Sequence, residues 1–160
     1  MLITAARPTT RLTLPGIMWR TNAALLPGLL TASFFFGFGY LANVLLACGF
    51  GLVFEATALA LRRQAIAPAM RDGTAVLSCA LLGLACPPAV SPLVLGVACA
   101  VAIIVAKHLY GGLGANLFNP AMVGYAFALV SFPTAFTQWP IPVDGTTCLL
   151  YTSPSPRDRG

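Results

Sequence analysis

Charge is scarce in this sequence. Only 8% of its 160 residues are Asp, Glu, Lys or Arg, where a soluble domain carries about 25%. From Thr21 to Leu61 the one carboxylate or base is Glu55. So few charges cannot cover a water-facing surface, which excludes a soluble single domain. Histidine is nearly missing too, with His108 standing alone. The cysteines, Cys48, Cys79, Cys86, Cys99 and Cys148, include no C-x-x-C pair, and the nearest two, Cys79 and Cys86, lie seven apart. Zinc and iron–sulfur centres need tighter ligand spacing, so small packing residues inside helices are the expected role. No basic stripe interleaved with aromatics is present, which argues against nucleic acid as a partner.

What is there is apolar. Hydrophobic residues make up 58% of the chain and its mean hydropathy is +0.86. The reading is an all-α, polytopic membrane helix bundle. The bases are Arg7, Arg11, Arg20, Arg62, Arg63, Arg71, Lys107, Arg157 and Arg159, against Glu55, Asp72, Asp144 and Asp158, for a net charge of +5. They fall in short clusters at the ends of apolar runs, as topology signals do. His108, beside Lys107, reads as an interfacial or packing residue at a membrane edge.

Residues 1–20 form a basic segment that we place in the cytoplasm. The apolar run continues past Arg20 without the small-residue cleavage site of a signal peptide, which predicts a first spanning helix at about 22–40. A second run, Leu41 to Leu61, stops at Arg62-Arg63. Glu55 lies within it, and two readings stay open: a carboxylate snorkelling near the interface, or a buried acid facing other helices or an ion path. The third run, Thr74 to Cys86, holds 13 residues before Pro87-Pro88, well short of the roughly 20 needed to span. The fourth, Val90 to Ala106, ends at Lys107-His108, and the last, Ala121 to Phe136, contains Pro133. Residues 21–136 thus form a transmembrane domain of about five helical segments, some interrupted. Such interruptions often mark binding sites in transporter-like folds. The arginine clusters and Lys107 all fall on the cytoplasmic side in this arrangement, and residues 137–147 form an extracytoplasmic loop.

The most specific local signal is Gly111-Gly112-Leu113-Gly114-Ala115-Asn116-Leu117-Phe118-Asn119-Pro120. Its glycines permit close backbone approach, and its asparagines bring amide donors and acceptors to an apolar setting. Asn119-Pro120 suits a helix start, with Asn as cap and Pro at the first position. A polar backbone loop entering a helix N-terminus suits an anion, a phosphate or a polar ring edge. A tight inter-helix turn is the other reading. Gly112, Gly114, Asn116, Asn119 and Pro120 are accordingly the candidate residues for shaping a cofactor or ion-path loop. No catalytic acid, base or nucleophile, and no metal site, is expected.

These residues also carry a resemblance. Lys107-His108-Leu109-Tyr110-Gly111-Gly112-Leu113-Gly114, then Asn116, Phe118 to Met122, Gly124-Tyr125 and Ser131-Phe132-Pro133 resemble the RnfD family. Its members are membrane subunits of the Rnf complex, the ion-translocating ferredoxin:NAD oxidoreductase. Arg71 to Ala75, Pro87-Pro88 and Trp139-Pro140 fit it as well, so the resemblance runs from about Ala24 to Thr147. The related NqrB of the sodium-translocating NADH:quinone reductase shares the Gly/Asn loop and is an alternative. The resemblance implies a multi-pass subunit of the bacterial inner membrane, its halves inverted repeats similar to urea-transporter folds. It implies FMN joined through its phosphate to a threonine on the outer side, allows a second flavin, and implies electron relay coupled to ion movement alongside other Rnf subunits and membrane lipid. A solute channel or transporter half without redox function, and a purely structural bundle, are the readings from other classes.

The family's flavin-attachment pattern is Asp-Gly-x-Ser/Thr-x-Ala-Thr. Asp144, Gly145, Thr146 and Thr147 fit its first four places, but Leu149 and Leu150 stand where alanine and the acceptor threonine belong. Leucine has no hydroxyl and cannot form the phosphoester. Asp144 and Thr147 are therefore a remnant of the motif. Cys148–Gly160 resembles read-through of a translated sequencing adapter, so residues 148–160 are expected to be a non-native tail and the remainder an N-terminal fragment, inactive on its own.

Overall fold

The computed structural model describes residues 13–111, 118–140 and 147–149. Helix α1 (Leu14–Phe36) starts with proline in its first turn and carries Pro27 inside. It begins well before the expected residue 22, because Leu14, Ile17 and Met18 continue the helical run ahead of Arg20. It also stops at Phe36 rather than Tyr40. Gly37, at φ +86°, breaks the chain there, a conformation that costs any residue with a Cβ. Helix α2 (Gly39–Leu61) follows, then the short α3 (Ile66–Arg71), which sequence periodicity did not reveal.

Helix α4 (Thr74–Ala85) has 12 residues. At 1.5 Å per residue it reaches about 18 Å, against a hydrocarbon core of about 30 Å, so the short third run is real. It lies tightly on α2: a Cβ at Gly83 would come within 3.0 Å of the Val44 Cα. Its far end runs into Cys86 and Pro87, both fully buried. The buried Asn43 of α2 donates its Nδ2 hydrogen to the Pro87 carbonyl at 2.8 Å. Backbone freed by a helix break at membrane depth needs such a partner.

Helix α5 (Pro92–Ala100) continues without a gap as a π-helical stretch, Val101–Leu109, giving 18 residues in all. The fourth run therefore extends past Ala106, and Lys107 and His108 lie inside the helix rather than flanking it. Helix α6 (Pro120–Ser131) is capped as expected, Asn119 Oδ1 accepting the Ala121 N–H at 3.0 Å. After Phe132, α7 (Pro133–Phe136) turns away. A two-stranded antiparallel ribbon closes the described chain, β1 (Gln138–Pro140) pairing with β2 (Thr147–Leu149), Pro140 opposite Thr147.

The core lies between α2, α4, α5 and α6 and is built from small side chains: Ala47, Cys79, Ala98, Cys99 and Ala128 are all fully buried. Small residues let helix backbones approach closely where lipid supplies no hydrophobic drive. Two helices among the described residues, Gly39–Leu61 and Pro92–Leu109, are long and apolar enough to cross a membrane. The outer surface agrees: Leu30, Phe34, Phe38 and Val130 are all exposed. The architecture is an all-α membrane helix bundle with one small ribbon.

Candidate functional site

Glu55 is 2% exposed. It projects from α2 toward the π-helical end of α5, where two bases meet it. Lys107 Nζ lies 2.7 Å from Glu55 Oε1, and His108 Nε2 lies 2.9 Å from Glu55 Oε2. Both bases are buried as well. Consecutive residues of an α-helix point about 100° apart. The wider π turn narrows that angle, so neighbouring side chains can grip the two oxygens of one carboxylate. π-helical turns inside α-helices are frequent at functional sites.

The network extends to α4. Lys107 Nζ also donates to Thr74 Oγ1 at 2.9 Å, and that hydroxyl donates to Asp72 Oδ1 at 2.7 Å. Asp72 accepts the Thr74 N–H with the same oxygen. Gly73, between them, takes φ +74° and packs against the Trp19 ring. On the other side the Arg62 guanidinium donates to the His108 carbonyl. His108 Nδ1 is buried and has no hydrogen-bond partner among the described residues. Beside this cluster opens a cavity of about 170 Å³ lined by Glu55, Arg62, Asp72, Lys107, His108 and Gly111.

Such an arrangement stores charge rather than performing bond chemistry. The carboxylate is balanced by an ammonium inside the protein, which makes its burial tolerable. When His108 Nε2 carries the hydrogen toward Glu55, Nδ1 presents a free lone pair.

Of the two readings of Glu55, the buried acid facing other helices is the one found. Lys107 and His108, expected at a membrane edge, with His108 as an interfacial or packing residue, are both buried against Glu55. Asn119 and Pro120 open α6, while Gly112, Gly114, Asn116 and Asp144 lie outside the described residues. Thr147 starts β2. Cys79, Cys86 and Cys99 are buried and Cys48 is half-buried, packing as expected, with Cys99 Sγ donating to the Ala47 carbonyl at 3.7 Å.

The sequence profile of the NQR2, RnfD, RnfE family matches residues 4–154. The chain belongs to this family. A protein of Aeromonas salmonicida, named as the D-type subunit of an ion-translocating oxidoreductase complex, is 53% identical over 116 residues, 72% of this chain and 33% of that protein. A protein of Marinobacter nauticus with the same name is 51% identical over 132 residues, 82% of this chain and 36% of that protein. Its namesake in Sodalis glossinidius is 42% identical over 159 residues, 94% of this chain and 45% of that protein. The chain thus spans from a third to just under half the length of these relatives. Within the described part of this NQR2, RnfD, RnfE family member, Glu55, Lys107 and His108 form the only buried ion-pair cluster.

Proposed function

We propose that this chain is part of the membrane subunit of an ion-translocating electron-transport complex, and that Glu55, Lys107 and His108 form a station on its ion path. One observation carries the second half: a buried carboxylate held between two bases, next to a polar cavity, in a helix otherwise free of charge. Intramembrane ionisable residues of this kind mark ion and proton pathways. The family membership and the names of the relatives support the first half.

In this reading Lys107 serves as a resident counter-ion on Glu55 Oε1. A cation or proton arriving from the cavity competes with it for the carboxylate, and His108 Nδ1 accepts a proton at the same depth. The partners are the other subunits of a ferredoxin:NAD oxidoreductase of the Rnf kind. The membrane is the bacterial inner membrane, with the N-terminus in the cytoplasm, as the arginine clusters suggest.

FMN is implied by the family resemblance alone. A flavin would supply one-electron and two-electron transfer. The residues present do not fit its covalent attachment, because Leu150 lacks the hydroxyl the phosphoester needs and Thr147 occupies an earlier place in the pattern. No flavin bond is assigned to this chain.

The test is Glu55→Gln introduced into the chromosomal reading frame that contains these residues. Membrane vesicles from that strain are compared with the parent for ion uptake driven by electron transfer to NAD, with the subunit quantified by immunoblot. Uptake should fall at least tenfold at unchanged subunit level. Unchanged uptake per electron transferred would refute the assignment of the site.

A further inference from the structure

Asp72 is a half-buried carboxylate that pairs with no base among the described residues. Its Oδ1 accepts the Thr74 N–H at 2.9 Å and the Thr74 hydroxyl at 2.7 Å. That turn ahead of α4 does not call for a negative charge, since asparagine makes the same bond to the backbone two residues on. Asp72 also lines the cavity that opens beside Glu55 and Lys107.

Lys107 stands one hydroxyl away. Its ammonium donates to Glu55 Oε1 at 2.7 Å and to Thr74 Oγ1 at 2.9 Å, and that same hydroxyl donates to Asp72. Lys107 therefore sits between two carboxylates, touching one directly and the other through Thr74. Lysine is a compact charge with three donors on a flexible four-carbon stem, so the gap can be crossed by side-chain rotation. The cavity of about 170 Å³, lined by Glu55, Asp72 and Lys107 alike, gives the ammonium room. The other charged or titratable groups at this cavity are His108, on Glu55 Oε2, and Arg62, on the His108 carbonyl.

On the ion-station reading of Glu55, which is the premise here, a proton or cation that reaches the carboxylate cancels its charge. Lys107 is then a buried ammonium without a counter-ion, a costly state. Asp72 offers the escape. We propose that Asp72 is the second counter-ion of the station: Lys107 leans on Glu55 while that carboxylate is charged, and on Asp72 once an ion neutralises it. Asp72 does not touch the ion. It is a positioning residue that acts through Lys107, and Thr74, bonded to both, guides the transfer.

The test uses membrane vesicles from strains carrying Asp72→Asn or Glu55→Gln in the chromosomal frame, with electron transfer to NAD as the drive and the subunit quantified by immunoblot. Asparagine keeps an oxygen for Thr74 and removes only the charge. Uptake is titrated with NaCl at fixed pH and with pH in sodium-free buffer. Removing Asp72's charge disfavours the loaded state, so half-saturation should move at least tenfold toward higher sodium, or a full pH unit toward acid. Unit charges about 5 Å apart attract by more than that factor at an effective dielectric of about 20. A lower plateau at an unmoved half-saturation point would reveal a merely structural role and overturn the proposal, as would titrations identical to the parent's.

Heating the solubilised complex, and following the subunit left in solution, gives a readout independent of uptake. Glu55→Gln stands for the neutralised carboxylate. Adding Asp72→Asn to it should lower the midpoint by more than the two single variants together, and Lys107→Met on top should restore much of the loss. Simply additive losses overturn the second counter-ion. Parental uptake in Glu55→Gln would bring down the station reading itself. Uptake lost in Glu55→Gln but titrating normally in Asp72→Asn would leave the station standing and remove Asp72 from it.

Discussion

Helices α2 and α5 meet twice, and the two meetings are built on opposite principles. Near the middle, Ala47 faces Cys99, both fully buried, and the Cys99 thiol bonds the Ala47 carbonyl. Small side chains bring the backbones together there, and packing carries the interaction. At the cavity end, Glu55 of α2 meets Lys107 and His108, and the contact is charge-assisted hydrogen bonding. The first meeting has no alternative state, because close-packed atoms either fit or clash. The second has more than one, because the direction of the His108–Glu55 hydrogen bond depends on which ring nitrogen carries the hydrogen. One pair of helices thus combines a fixed seam with an adjustable end, as the proposed ion station requires of its scaffold.

The contrast between these ends is sharpest where charge is removed. Lys107→Met should leave Glu55 buried without its ammonium and cost about 3–5 kcal/mol, read as a large fall in the thermal midpoint of the purified chain. Adding Glu55→Leu to that variant should restore most of the loss, because an apolar pair of similar volume replaces a charged one at little cost. If the double variant is no better than the single, the loss does not come from an unpaired charge.

The packed end should respond to volume and not to charge. A Cβ at Gly124 of α6 would stand 2.6 Å from the Ala98 carbonyl oxygen and 2.9 Å from the Ala102 Cβ, at the seam with α5. The first of these is backbone and cannot swing aside. Gly124→Val should therefore destabilise by about 1–3 kcal/mol, with no change in the salt dependence of melting. A loss that varied strongly with ionic strength would mean that the seam is not purely steric.

Asn43→Ala probes the helix break. Removing the amide leaves the Pro87 carbonyl buried without its donor, a penalty of about 1–3 kcal/mol. Asn43→Ser should recover little, since a shorter side chain stops short of Pro87. Equal melting of Asn43→Ala and the parent would mean that the carbonyl has found another donor.

Much of this was legible in the sequence, and what was missed has a physical cause. The short third run, the double-proline break and the Asn119 cap all follow from local rules of length, proline and capping. Glu55 stood out because it interrupts an apolar run. Its partners did not, because Lys107-His108 at the end of a hydrophobic stretch looks the same whether it faces headgroups or a neighbouring helix. A usable signal existed: two spans return the chain to the side it left, so Arg62 and Lys107 end on one side. The lone acid, less than two turns before Arg62, then lies at nearly the depth of the next lone base. The π-helical stretch has no comparable signature, and α1's early start was hidden by Arg20. Tertiary partners such as Asn43 with Pro87, 44 positions apart, are beyond any local rule.

The smallest effect expected is at Asn119, and it separates a cap from a ligand. Its Oδ1 accepts the Ala121 N–H, and Pro120 removes one donor that would otherwise need a partner. Replacing it with alanine should cost about 1 kcal/mol, while Asn119→Asp or Asn119→Ser should cost only tenths, because each keeps an oxygen acceptor at the helix start. Aspartate adds a negative charge at the positive end of α6, which favours it further. If Asn119→Asp stays stable but reduces ion uptake in the vesicle assay by tenfold, the amide itself is read by something passing the loop. If uptake follows stability across all three variants, Asn119 contributes to function only by starting α6 in the right place.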